Sequence, residues 1–185
     1  RLPEALAQRG AFYATMLARE MGEAAAGSHA LAPTRLVEDY VELDLGGRQL
    51  EVRAPPPAHT DHDLSLRDSA SGTLWLSDLL FVDRMPALDG DLLGWLRVLE
   101  RLQQEPASQA VPGHGPPVVS WPQAAAPLVR YLTALRDGTR AAIAAGMGLA
   151  EASDRVATDA TGHWQLADQY HGRNVIAAYR QLEWE

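Results

Sequence analysis

With 185 residues, of which 46% are apolar and 22% charged, the chain is long enough for one domain with a sizeable core and too apolar to be disordered. A net charge of −8 argues against nucleic acid as a partner, because that needs clustered basic side chains. The lack of cysteine excludes disulfides and thiolate metal sites, and no apolar run approaches the roughly 18–20 residues of a membrane-spanning helix.

Residues 3–21 place Leu6, Phe12 or Tyr13, Met16 or Leu17, and Met21 at helical spacing, with Gly22 and Gly27 after them; this predicts an amphipathic helix. Val41, Leu43 and Leu45, then Leu50 and Val52, alternate on either side of Gly46-Gly47, a hairpin pattern. The second strand runs into Pro55-Pro56-Pro57, which forces an extended exit toward His59. Leu64 and Leu66, then Leu74–Leu76, bracket a polar loop and predict a second hairpin whose outgoing strand delivers Asp78. Leu88, Leu92, Trp95 or Leu96, Leu99 and Leu102 make one apolar stripe of a helix over 89–104, with Asp89 as its N-cap. Residues 109–111 form a short strand entering Pro112-Gly113-His114-Gly115. Beyond Trp121-Pro122 the pattern is helical throughout: a helix lined by Leu128, Leu132, Leu135 and Ile143, a shorter one over 149–157, and a last one over 164–182, interrupted near Gly172. This divides the chain into an α/β part, 1–120, and a helical extension packed on it, 121–185.

Three strand exits thus carry His59, Asp78 and His114. Imidazole and carboxylate are the donors zinc accepts when thiolate is missing. The intervals of 19 and 36 residues are too long for a zinc finger and suit ligands gathered from successive strand ends. Taken singly, each residue is an ordinary loop or capping side chain; the shared placement points to one metal site. Asp61 or Asp63 would orient a ligand imidazole or close an Asx turn. His62 reads as a solvated loop residue. Helix capping accounts for Asp89 and Asp91, and Arg84 suits either an anionic substrate or a surface ion pair. His163 and His171 lack acidic partners at ligand spacing and read as structural or exposed, His29 carries no signal, and Trp95, Trp121 and Trp164 read as core anchors.

Ala58-His59-Thr60-Asp61, Ser77-Asp78-Leu79-Leu80-Phe81 and Pro112-Gly113-His114-Gly115 resemble the later metal motifs of the metallo-β-lactamase superfamily, over residues 34–117. Within it, Asp89–Leu96 and the stretch from Arg173 to Glu185 look most like the zinc metallohydrolases of quinoprotein and sulfur-oxidation clusters. The resemblance implies an αββα sandwich and a zinc-dependent hydrolase that activates a metal-bound hydroxide against an ester, thioester or amide carbonyl of a small-molecule substrate. It also implies His59 on a first zinc, Asp78 bridging, and His114 on a second. Exported relatives imply a periplasmic parent, with the cytoplasm as the alternative.

The family's His-x-His-x-Asp-His motif does not occur in this sequence, and Asp61-His62-Asp63 lacks its spacing. Ser77 stands where Gly is common. The chain is therefore expected to be the C-terminal part of a larger sandwich. Alone it should be inactive, with weak or no zinc binding, and should associate with a second copy or with the missing half through an uncovered sheet face. The alternative is a non-catalytic binding or assembly module that retains the scaffold.

Overall fold

The computed structural model describes residues 2–185, which fold as two units, residues up to Val37 and Glu38–Glu185. In the first unit the expected helix is present as α1 (Leu2–Met21), followed by a 3-10 turn at Gly22–Ala25. None of its helical residues is buried, and Phe12, Tyr13 and Met21 are more than half exposed.

The second unit is built on a six-stranded sheet in sequential order: β1 (Tyr40–Asp44), β2 (Gln49–Arg53), β3 (Ser65–Asp68), β4 (Thr73–Phe81), β5 (Gln109–His114) and β6 (Val119–Ser120). All neighbours are antiparallel except β4 and β5, which run parallel and are joined by α2 (Leu92–Leu102). Both hairpins follow from local chemistry. At the β1–β2 turn the Asp44 carboxylate accepts from the amides of Gly46 and Gly47, at 2.9 and 2.8 Å, and both glycines have positive φ. At the β3–β4 turn the buried Asp68 carboxylate accepts from the Ala70 amide, the Ser71 hydroxyl and Arg48, and the Arg48 guanidinium and Ser71 hydroxyl hold its pKa far below the ordinary carboxylate value.

The helices α3 (Ala126–Ala144), α4 (Leu149–Arg155) and α5 (Ala167–Leu182) follow, with α2 against α3, α3 against α5 and α5 against α4. One continuous core joins Leu74, Leu76 and Ala110 of the sheet to Trp95 and Leu99 of α2, Leu128 and Leu132 of α3, and Val175 of α5. Indole hydrogen bonds lock the layers: Trp95 Nε1 donates to the Leu79 carbonyl at 3.0 Å and Trp121 Nε1 to the Leu102 carbonyl at 3.3 Å. The opposite sheet face carries a row of register partners, Val41, Val52, Leu66, Trp75 and Val111, of which Trp75 is half exposed. No helix among the described residues is long and apolar enough to cross a membrane.

The structure departs from the sequence reading in several details: β5 runs on through His114, and Asp78 lies inside β4, three residues before its end, rather than at a strand exit. α2 starts at Leu92 and is capped by Asp91, whose carboxylate accepts from the Gly94 amide at 2.7 Å; Asp89 lies in the segment before it. α5 starts at Ala167 and runs without a break through Gly172.

Candidate metal centre

Asp78 and His114 are brought together by the one parallel strand pair. Ser77 has φ +46°, and the β4–β5 register shifts on either side of it. This irregularity re-aims the side chains of β4: Leu76 before it and Leu79, Leu80 and Phe81 after it are all buried, while Asp78 stays part-exposed beside β5. Bulges of this kind recur beside functional sites because they turn a side chain out of the ladder. A non-glycine residue is strained at this positive φ. The next strand makes room for the carboxylate. A Cβ on Gly113 would lie 2.0 Å from Asp78 Oδ1, 2.6 Å from the Ser77 carbonyl carbon and 2.7 Å from the Asp78 nitrogen. Only glycine admits that approach. The following residue then sets His114 Nε2 3.5 Å from Asp78 Oδ1.

His59 arrives from the Pro55–Pro57 exit. Its loop is closed by Asp63, whose carboxylate accepts from the Thr60 amide at 2.9 Å and the Thr60 hydroxyl at 2.7 Å. Asp63 is thus the turn-closing residue, and its Oδ1 stands 3.6 Å from His59 Nδ1, too far for a hydrogen bond. The His59 ring is 7% exposed and packs edge-on to Trp95, centroids 5.2 Å apart. Its Nδ1 is buried with no hydrogen-bond partner in the chain. Phe81 touches both imidazoles: it stacks on His114 at 4.7 Å and meets His59 at 5.5 Å. His62 pairs with Asp61 at 2.7 Å on the outer side of the loop.

Zinc requires at least three protein donors. The chain brings two together, Asp78 and His114, and holds the third candidate, the His59 imidazole, against Phe81 and Trp95. Among the described residues no group of three or more His, Asp or Glu side chains is placed to hold a metal ion. These residues therefore do not complete a zinc site by themselves, although the converging carboxylate–imidazole pair and the unpartnered His59 Nδ1 are the donor types such a site uses.

His171 is not a site residue; it belongs to a buried polar network. Asn174 Nδ2 donates to the Tyr131 hydroxyl at 3.0 Å, so that hydroxyl donates to His171 Nδ1 at 3.1 Å, and His171 Nε2–H donates to the Val156 carbonyl at 2.8 Å. This order requires the neutral ring, and burial accordingly pushes its pKa below the ordinary value. The sequence shows no trace of this network, because its partners come from three separate helical segments.

No family model matches the sequence, and no curated protein matches it. Solved structures do match. A metallo-β-lactamase from Pontibacter korlensis is 25% identical with a TM-score of 0.50, over 64% of this chain and 54% of that one. A metallo-β-lactamase family protein from Thermus thermophilus is 21% identical with a TM-score of 0.59, over 98% and 60%. A stereoselective inverting sec-alkylsulfatase from a Pseudomonas species is 16% identical with a TM-score of 0.65, over 82% and 27%. The chain thus spans between about a quarter and three-fifths of the length of these neighbours. The chain shares the fold of these metallo-β-lactamase superfamily structures, a mixed α/β architecture with a helical C-terminal part.

Proposed function

We propose that residues 1–185 are the C-terminal portion of a zinc-dependent hydrolase acting on an ester, thioester or amide, and that this portion alone is inactive. The observation that supports this most directly is the Asp78–His114 pair, 3.5 Å apart on adjoining parallel strands, beside a glycine that leaves room for nothing larger. In this reading Asp78, His114 and His59 are ligands whose set is completed by a His-x-His-x-Asp-His motif that this sequence lacks. Zinc in such enzymes lowers the pKa of bound water and polarises the bond to be cleaved. The chain's own contribution is to fix the two convergent donors and to wall one side of the site with Phe81 and Trp95. The row from Val41 to Val111 would meet the rest of the sandwich or a second copy. The narrower likeness to exported zinc metallohydrolases supports a periplasmic parent.

The count of two converging donors favours a second reading, a metal-free binding or assembly module on the same scaffold. Calorimetric titration of the chain with Zn²⁺ is the test of the first claim. Binding weaker than micromolar is expected, because a carboxylate and one imidazole fall short of the donor number zinc needs. Sub-micromolar binding abolished by Asp78→Ala would overturn the claim that the chain cannot form its own centre. The coding sequence upstream separates the two readings: an in-frame His-x-His-x-Asp-His supports the hydrolase, and a ribosome site with a start codon supports the module.

A further inference from the structure

Residues 86–92, which follow β4 and end on the first residue of α2, form no ladder with any strand, yet their backbone is hydrogen-bonded at alternate residues. The partners are two side-chain amides of α5. Asn174 Nδ2 donates to the Pro86 carbonyl at 2.7 Å and its Oδ1 accepts from the Leu88 amide at 3.0 Å. Gln181 Nε2 donates to the Gly90 carbonyl at 2.7 Å and its Oε1 accepts from the Leu92 amide at 2.9 Å. Each amide satisfies one carbonyl and one N–H two residues apart, which is what a neighbouring strand would do. The two amides are seven residues apart and so share one helix face, separated by about 10 Å of rise. Four residues of extended chain cover about 13 Å, close enough for flexible side chains to span the difference.

The far side of this segment bears on His59. A Cβ on Gly90 would lie 2.4 Å from the Ala58 carbonyl oxygen and 2.9 Å from both the carbonyl carbon and oxygen of His59. The Asp91 amide donates to the Ala58 carbonyl at 2.8 Å. The segment is therefore held between α5 and the backbone that carries His59.

We infer that Asn174 and Gln181 are positioning residues for His59: they hold residues 86–92 as a splint against the Ala58–His59 backbone and so set where the His59 imidazole stands. This rests on the hydrolase reading for its functional meaning, but its test does not involve metal, so either can fail alone. Gln181 is exposed, so Gln181→Met leaves the core intact while removing both of its hydrogen bonds. Amide hydrogen exchange, followed by NMR, reads the result at the Asp91 N–H. It should exchange faster by about fivefold for each bond lost, taking roughly 1 kcal/mol per bond, and the His59 ring resonances should shift. Exchange at Leu79 and Leu80 in β4 should stay as in the parent, as should Asp91 in the control variant Arg180→Met, which alters the neighbouring exposed residue. An unchanged Asp91 rate in Gln181→Met, a uniform acceleration that includes β4, or the same effect in the Arg180 control would each overturn the inference.

Discussion

Replacing Gly113 by alanine adds one methyl group at the point where the candidate centre is most crowded. The added carbon would sit 2.0 Å from Asp78 Oδ1, and side-chain rotation can relieve that contact. It would also sit 2.6 Å from the Ser77 carbonyl carbon and 2.7 Å from the Asp78 nitrogen, and rotation cannot relieve those. The β4 or β5 backbone must move, against a ladder that is already irregular at Ser77. Overpacking of this kind costs about 1–3 kcal/mol, and backbone contacts place this case near the upper end. For a domain of this size each kcal/mol lowers the melting temperature by about 2–4 °C, so a loss of roughly 6–12 °C is expected. Gly162→Ala is the reference, since a Cβ there meets nothing within 4 Å and should be neutral or slightly stabilising. Calorimetric melts of both variants make the comparison. The double variant Gly113→Ala/Asp78→Ala removes the carboxylate contact but not the backbone ones, so it should recover only part of the loss. If Gly113→Ala melted with Gly162→Ala, or if the double variant recovered fully, the claim that backbone crowding dictates this glycine would be wrong.

Other consequences can be measured in the same way. Ser77→Gly relieves a positive φ of 46° and is expected to stabilise by about 1 kcal/mol or less, the gain being cut by the entropy of the unfolded glycine; a urea midpoint at or below the parent's would refute this. His171 has a pKa below 6.5 in the folded state because burial disfavours its charge. Below that value the unfolded chain takes up the proton first, so the stability from this residue is complete above about pH 6.5 and is lost as the pH falls beneath it. Urea titrations at neutral and mildly acidic pH should show stability falling on acidification, by at most about 1.4 kcal/mol per pH unit from this one group. His171→Gln should be less stable at neutral pH but flatter in its pH response, and an unchanged slope would contradict the neutral-ring network.

The sequence carried the elements whose causes are local. The Gly46-Gly47 hairpin, the β3–β4 hairpin and the stripe of α2 each depend on residues within a few positions of one another. By type Asp89 is as good a cap as Asp91, so sequence cannot choose between the two starts of α2. What withholds residues 86–91 from the helix is Asn174 and Gln181, more than eighty residues away. Of the three residues that the strand-exit pattern groups, Asp78 and His114 stand 3.5 Å apart. The pattern could not show that the His59 ring lies against Trp95, nor that Gly113 yields its side-chain space to Asp78, because both are contacts between distant segments. Asp63 illustrates the limit of residue type: ligand-orienting and turn-closing roles use the same carboxylate, and only the Thr60 hydrogen bonds show which role it fills.

The connectivity of the sheet also bears on the order in which the chain can assemble. β1–β2 and β3–β4 are joined by four-residue turns and β2–β3 by the loop 54–64 that carries His59, so these ladders close over smaller separations, whereas β5 must travel through all of α2 before it can lie alongside β4. Closing long loops is the slower event. The carboxylate of Asp78 should therefore wait on an already formed meander until the strand bearing His114 docks, which makes the separation of these two side chains a clock for the final stage of folding.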